Sequence, residues 1–242
     1  MKLLTLSFLF LFVTDTAIEP LLSGSYPWKA NATIFKGSGS VLRNHELKGH
    51  TMNAGDMKFY TADHMERFFI VRKGTLEVVL GNKNYSVSKG SVIFLLPGDK
   101  IAFSTDGRNN VEFYEMVYYS KQKSDSARGR AGGESFVMNW DDMVFKSHDK
   151  GGVRQLFDRK TAMMNRFDIH VTTLNPGLKS HEPHTHQNEE IILMLDGDAK
   201  MTVNKGTVRC TTGDAVYVAS MVPHNLINSG KSAATYFAIQ WN

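Results

Sequence analysis

Short runs of Val, Ile, Leu, Phe, Tyr and Thr, each closed by Gly, Asn, Asp or Lys, recur along nearly the whole chain. That punctuation most constrains what the chain can fold into. RFFIV, TLEVVL, SVIFLL, VEFYEMVYY, IHVTTL, IILML, AKMTV, AVYVA and TYFAIQW have the length and the β-branched and aromatic content of strands. Helical periodicity is hard to find anywhere. An all-β barrel or sandwich is expected. The runs also repeat in order. FKGSGSVLR, Gly55, RFFIVRKGTLEVVLGNKNYSVSKGSVIFLLPGD and VEFYEMVYYS are answered by FKSHDKGGVRQ, Gly177, EIILMLDGDAKMTVNKGTVRCTTGDAVYVAS and ATYFAIQW. One domain written twice follows, with units at 30–120 and 136–242 and the Gly/Ser/Lys/Arg stretch 121–135 as a solvated linker.

At 242 residues, 42% of them hydrophobic, the chain can bury full cores. Part of its formal charge of +4 lies in 121–135, where four basic residues face two acidic ones. Elsewhere the cations are scattered singly, so no basic stripe suits nucleic acid and none is expected as a partner. Cys210 is the single cysteine, which excludes an intrachain disulfide and a thiolate metal cluster. Lys2 followed by the apolar run Leu3–Val13 suits a signal-peptide core and is too short to span a bilayer. Residues 1–20 are therefore expected to direct export to the periplasm or medium, leaving no membrane span after processing. The alternative is a hydrophobic N-terminal strand of a cytoplasmic protein.

Three of the nine histidines fall within six residues, in HEPHTHQNEEIILMLDG, His181 to Gly197. Residues two apart on a strand share a face, so His184 and His186 present both imidazoles to one side. Glu189 and Glu190 open the next apolar run, close enough to turn back beside them. Two neutral nitrogens and a carboxylate suit a hard or borderline divalent ion. His224, behind AVYVAS and a Pro-containing turn, is the residue a barrel would bring across as fourth ligand. His181 reads as a loop or pocket-rim residue and His170 as a polar strand residue.

These residues resemble the two motifs of the cupin superfamily. The first, Gly, a spacer, His-x-His, a short spacer, Glu, six residues and Gly, is matched by Gly177, His184, His186, Glu190 and Gly197, and it favours Glu190 over Glu189. The second, Gly-Asp, a strand, a turn that is usually Pro-x-Gly, His, three residues and Asn, is matched by Gly213, Asp214, His224 and Asn228. Ala219-Ser220-Met221 replaces the usual turn. The resemblance implies two tandem cupin (jelly-roll-like) β-barrels, a bicupin, with one divalent ion held by His184, His186, Glu190 and His224. Mn or Fe stands ahead of Ni or Zn. In the first half the same alignment puts Thr61, Asp63, Arg67 and Ile101 at the ligand positions, so that copy is expected to be metal-free. His64 and Glu66 beside them read as an ordinary polar loop.

Three His and one Glu leave two positions of an octahedral shell open. The resemblance thus implies a metal-dependent enzyme of oxygenase or decarboxylase type acting on a small oxygen-rich metabolite. A non-redox isomerase or hydrolase, in the layout of ureidoglycine aminohydrolase-like bicupins, and a non-catalytic small-molecule-binding module are the alternatives, since fold and ligand set do not choose. Association into a homo-oligomer through the cupin sheets is also open. Gln187, Arg154, Tyr217 and Gln240 are candidates for substrate contact, with Asn188 and Arg166 near them. Met163, Met164, Met194, Met201 and Met221 read as core fillers.

Overall fold

The computed structural model describes residues 18–242; the apolar run Leu3–Val13 lies outside the described residues. The first half forms β1 (Gly24–Tyr26), β2 (Ala32–Gly37), β3 (Leu42–Met52), β4 (Met57–Thr61), β5 (Glu66–Lys73), β6 (Leu76–Leu80), β7 (Lys83–Val87), β8 (Val92–Leu95), β9 (Lys100–Thr105) and β10 (Val111–Ser120). Helix α1 (Ser126–Ala131) follows. The second half forms β11 (Phe136–Met138), β12 (Lys146–His148), β13 (Gly151–Arg159), β14 (Phe167–Leu174), β15 (Glu189–Asp196), β16 (Asp198–Val203), β17 (Gly206–Thr211), β18 (Ala215–Val218), β19 (His224–Asn228) and β20 (Ala234–Trp241). Among the described residues no helix is long and apolar enough to cross a membrane.

Each half is a jelly-roll-like sandwich of two antiparallel sheets that do not close. The first stacks β11-β8-β5-β10-β3-β2 on β4-β9-β6-β7, and the second stacks β1-β18-β15-β20-β14-β13-β12 on β17-β16-β19. On the central strands the repeat is maintained residue by residue. Arg67 faces Leu95 and Val117 as Glu190 faces Val218 and Gln240, and each pair of equivalents (67 and 190, 95 and 218, 117 and 240) lies 123 positions apart. The two large sheets pack back to back.

That packing explains why the central runs are apolar without alternation: both faces of these strands are covered. On β15, Ile191, Leu193 and Leu195 enter the core between the halves, whereas Ile192 and Met194 enter the interior of their own sandwich. On β5, Phe68 and Ile70 face the other half, and Phe69 and Val71 face inward. Parity along these two strands therefore decides which side chains can reach a site inside each sandwich.

The halves are laced together. β1 pairs with β18, Gly24 opposite Tyr217, and β11 pairs with β8, Phe136 opposite Phe94, so each half lends a short strand to the other's large sheet. The stretch 121–135, expected to be a plain solvated linker, carries α1. Its Gly129 is buried where a Cβ would come within 2.9 Å of Ala162, and Arg130 pairs with Asp99 at 2.7 Å.

A reciprocal clamp joins equivalent loops to equivalent acids. Ser40 N–H donates to Glu189 Oε1 at 2.9 Å, with Tyr217 O–H and Trp241 Nε1–H completing the shell. In the other direction Ala162 N–H and Thr161 O–H donate to Glu66 at 2.6 and 2.8 Å. Glu66, expected in an ordinary polar loop, is thus fully buried at the start of β5; the opposing half supplies donors that its sequence neighbours could not reveal. Gly39 is required at its clamp, because a Cβ there would meet Glu189 Oε1 at 2.2 Å.

Candidate metal centre

The backbone brings the two histidine segments face to face. His184 and His224 exchange N–H···O bonds of 3.2 and 3.1 Å, an isolated antiparallel bridge. His186, expected on a strand with His184, lies instead in the loop before β15, its carbonyl accepting Met221 N–H at 2.8 Å. Met221 occupies the place of the usual turn glycine and adopts φ 63°, a conformation costing about 1–2 kcal/mol for a residue with a Cβ. It is also more than half exposed, which corrects its assignment as a core filler; Met163, Met164, Met194 and Met201 are buried.

One ligand atom from each of His184, His186 and His224 falls within 4.8 Å of the others. Glu190, on the inward face of β15, brings Oε2 to 3.0 Å from His224 Nε2 and 3.6 Å from His186 Nε2. The Nδ1 atoms of His186 and His224 each lie 2.9 Å from a backbone carbonyl, of Asn188 and Val222. A carbonyl only accepts, so this contact assigns the proton to Nδ1 and leaves an Nε2 lone pair in each ring. Both Nε2 atoms are buried without a hydrogen-bond partner. Lone pairs converging on a buried carboxylate repel one another unless a cation lies between them, and a carbonyl fixing the far nitrogen is the usual support of a metal-ligating histidine. The residues present fit a divalent ion.

The electrostatics agree. Burial alone would raise the Glu190 carboxyl, but the imidazoles of His186 and His224 beside it and the hydrogen bond from Gln240 hold it well below the usual carboxylate range. Burial and the neighbouring rings of His181, His224 and His186 lower His184, which keeps a ligand neutral, while the contact with Glu190 raises His186. Glu189 lies on the opposite face, against Tyr217 and Trp241.

Around the ligands the candidates separate. Gln240 Nε2–H donates to Glu190 Oε1 at 3.0 Å, and its own oxygen accepts Asn188 Nδ2–H at 3.2 Å. Asn242 Nδ2–H in turn donates to Asn188 Oδ1 at 2.7 Å. This chain holds the outer oxygen of Glu190, a supporting role the sequence did not disclose because it joins strands 50 residues apart. A cavity of about 280 Å³ opens onto the histidines, and Gln240, His170 and His181 line it. The His181 ring stands edge-on to His184, centroids 4.0 Å apart.

The other substrate candidates lie elsewhere. Arg154 is sandwiched between Trp140 and Phe145, 4.2 and 4.6 Å from the ring centres. Tyr217 falls on the parity that faces the first half. Gln187 is exposed and does not line the cavity. Arg166 is paired with Asp158 and Asp168.

The equivalent interior of the first half is filled. Arg67 bonds Glu115 and donates through Nε to the Thr61 carbonyl at 2.7 Å. His50 Nε2 reaches Glu115 at 2.8 Å and its ring stacks on Phe113, while the Arg67 guanidinium lies 5.8 Å from the Tyr60 ring centre.

Residues 170–240 match the family model Cupin_2, described as a cupin domain. The fold is a cupin fold. Three solved structures illustrate the likeness. An oxalate decarboxylase from Lactobacillus farciminis, in a formate complex, matches with TM-score 0.64 at 13% identity over 93% of this chain and 88% of that one. A cupin 2 conserved barrel domain protein from Leptotrichia buccalis matches with TM-score 0.61 at 11% identity over 94% and 100%. AerE from Microcystis aeruginosa matches with TM-score 0.62 at 12% identity over 82% and 87%. No curated protein matches the sequence.

Proposed function

We propose that this protein is a bicupin with one working barrel, a metal-dependent enzyme of oxygenase or decarboxylase type that acts on a small oxygen-rich metabolite. The observation that carries this reading is the convergence of His184, His186 and His224 beside the buried Glu190 carboxylate, with two unpartnered Nε2 atoms near it. Three imidazoles and one carboxylate suit Mn or Fe, with Ni or Zn as alternatives. When bound, such an ion supplies a Lewis-acidic or redox-capable centre with coordination positions left for substrate.

The chain's own side chains do the remaining work. The Asn188 and Val222 carbonyls fix the ring tautomers, Gln240 orients Glu190, and the cavity above admits a small molecule and shields it from bulk water. The likeness to an oxalate decarboxylase supports carbon–carbon cleavage as one of the two reaction types. On the same reading Leu3–Val13 is an export signal, and mass spectrometry of the mature chain from its host would show it removed.

Elemental analysis of natively purified protein tests the centre. One ion per chain is expected; two ions, or an ion retained after His184→Ala with His224→Ala, would overturn it. Turnover of small acids and enediols, followed by oxygen electrode and by carbon dioxide release, then separates oxygenase from decarboxylase. Turnover with neither signal points to Lewis-acid isomerisation or hydrolysis, and saturable binding without turnover points to a binding module.

A further inference from the structure

The cavity that opens onto the candidate ligands is also lined by Lys150, Thr172, Ser180 and Tyr236. Lys150 lies in the turn between β12 and β13, its backbone tied by Asn175 N–H to the Lys150 carbonyl at 2.8 Å. Its ammonium donates to the Ser180 carbonyl at 3.1 Å, which aims the head group and leaves two of its three N–H donors free. Thr172 and the buried Tyr236, cross-strand partners on β14 and β20, line the same cavity, as does Ser180, whose hydroxyl donates to the Leu226 carbonyl at 3.2 Å. Ile192 lies on the same sheet as Thr172 and Tyr236, and Met201 and Leu226 of the small sheet limit the space.

Among the residues lining this cavity Glu190 is the one acid. The nearby Asp149 and Glu182 are strongly exposed and do not line it, and Glu182 is paired with Lys179. A divalent ion, Glu190 and Lys150 together carry a net charge of +2 in a partly enclosed space. A neutral sugar or diol would leave that charge uncompensated, and an amine would add to it. In the first half His50 stands opposite Phe113 where Thr172 stands opposite Tyr236 in the second.

We infer that the site takes a small dicarboxylate, one carboxylate received by the Lys150 ammonium with the Thr172 and Tyr236 hydroxyls beside it, the other directed at the histidine cluster. The inference rests on the metal reading of the same site. The cavity volume of about 280 Å³ suits an acid of few carbons rather than a sugar chain or a nucleotide.

Calorimetric titration of the Mn-loaded protein with malonate, and with its neutral diamide of the same size, tests the inference. Malonate is expected to bind saturably and the diamide at least about tenfold more weakly, as befits loss of charge-assisted hydrogen bonds. Lys150→Met should lower malonate affinity by about tenfold or more and Lys150→Arg should restore part of it. Mn affinity, titrated separately without acid, should be unchanged in both variants. Diamide binding equal to malonate binding, or malonate affinity unaffected by Lys150→Met, overturns the dicarboxylate while leaving the metal centre standing. Failure of the wild type to take up any of Mn, Fe, Ni and Zn overturns the metal centre itself, and the dicarboxylate proposal with it.

Discussion

Positions 67 and 190 sit at the same place on equivalent strands, pair with equivalent neighbours and point into equivalent interiors. Yet one is an arginine locked to Glu115 and Thr61, and the other a carboxylate facing histidines across an open cavity. The difference teaches that this backbone is indifferent to chemistry. A handful of inward side chains decide whether a sandwich is filled or keeps an open cavity, because the two large sheets are held by their outward faces against each other. Each acid of the reciprocal clamp, Glu66 and Glu189, also lies next to a divergent residue, Arg67 or Glu190, yet on the opposite face of its strand.

The comparison can be broken most forcefully at His224. His224→Ala should abolish stoichiometric metal binding, a loss beyond the range of about ten- to a hundredfold typical of outer supporting residues; direct metal titration measures it. If the ion stays, the centre is not where the histidines converge. In the first half the largest effect should fall on folding instead. Glu115→Ala leaves Arg67 half-buried without its carboxylate and should cost about 3–5 kcal/mol in denaturant unfolding, with metal content unchanged.

A third test concerns the clamps. His45 is buried with both ring nitrogens unpartnered, beside Tyr217 and Trp241. Burial pushes its imidazole down to about 4, against the upward pull of Glu189. The unfolded chain takes up this proton near 6.5 and the folded chain near 4, so the unfolded state binds more protons in between. Stability should therefore fall as pH drops from about 6.5 to about 4, by about 3 kcal/mol. His45→Phe should flatten that slope in unfolding curves taken across the window, and an unchanged slope would assign it to other groups.

Smaller effects sharpen the contrast. Gln240→Leu should weaken metal affinity by about ten- to a hundredfold, as expected for a residue that orients a ligand, whereas Val117→Ala at the equivalent position should leave it alone. Metal uptake equal to wild type in Gln240→Leu would remove Gln240 from the support of Glu190. Least of all, His64→Ala, at an exposed site of the first half, should change neither metal content nor activity. A measurable loss there would mean that the filled sandwich takes part in the chemistry.

The strands containing RFFIV, SVIFLL, IILML, AVYVA and TYFAIQW were legible because burial on both faces leaves continuous apolar runs. The eleven-residue β3 was not, since its LRNHELKGHTM carries polar residues on buried positions such as Asn44 and His45. Their place in the core depends on what the other half presents to them. The His184, His186, Glu190 and His224 set was readable through its resemblance to the two cupin motifs, although His184 and His186 lie in a loop with one isolated bridge rather than on the strand expected for them.

Tertiary structure alone decided the rest. It placed Tyr217 and Glu189 on the face between the halves, withdrew Arg154 to an aromatic sandwich, made Gln240 the support of Glu190 and brought Lys150 to the cavity wall. The sequence by itself determined which segments become strands, that they do so twice, and which residues could ligate a metal, because these follow from local periodicity and residue chemistry. Which face meets water, ligand or the other half is set by contacts between segments far apart in the chain, and these exist only once the two large sheets have packed.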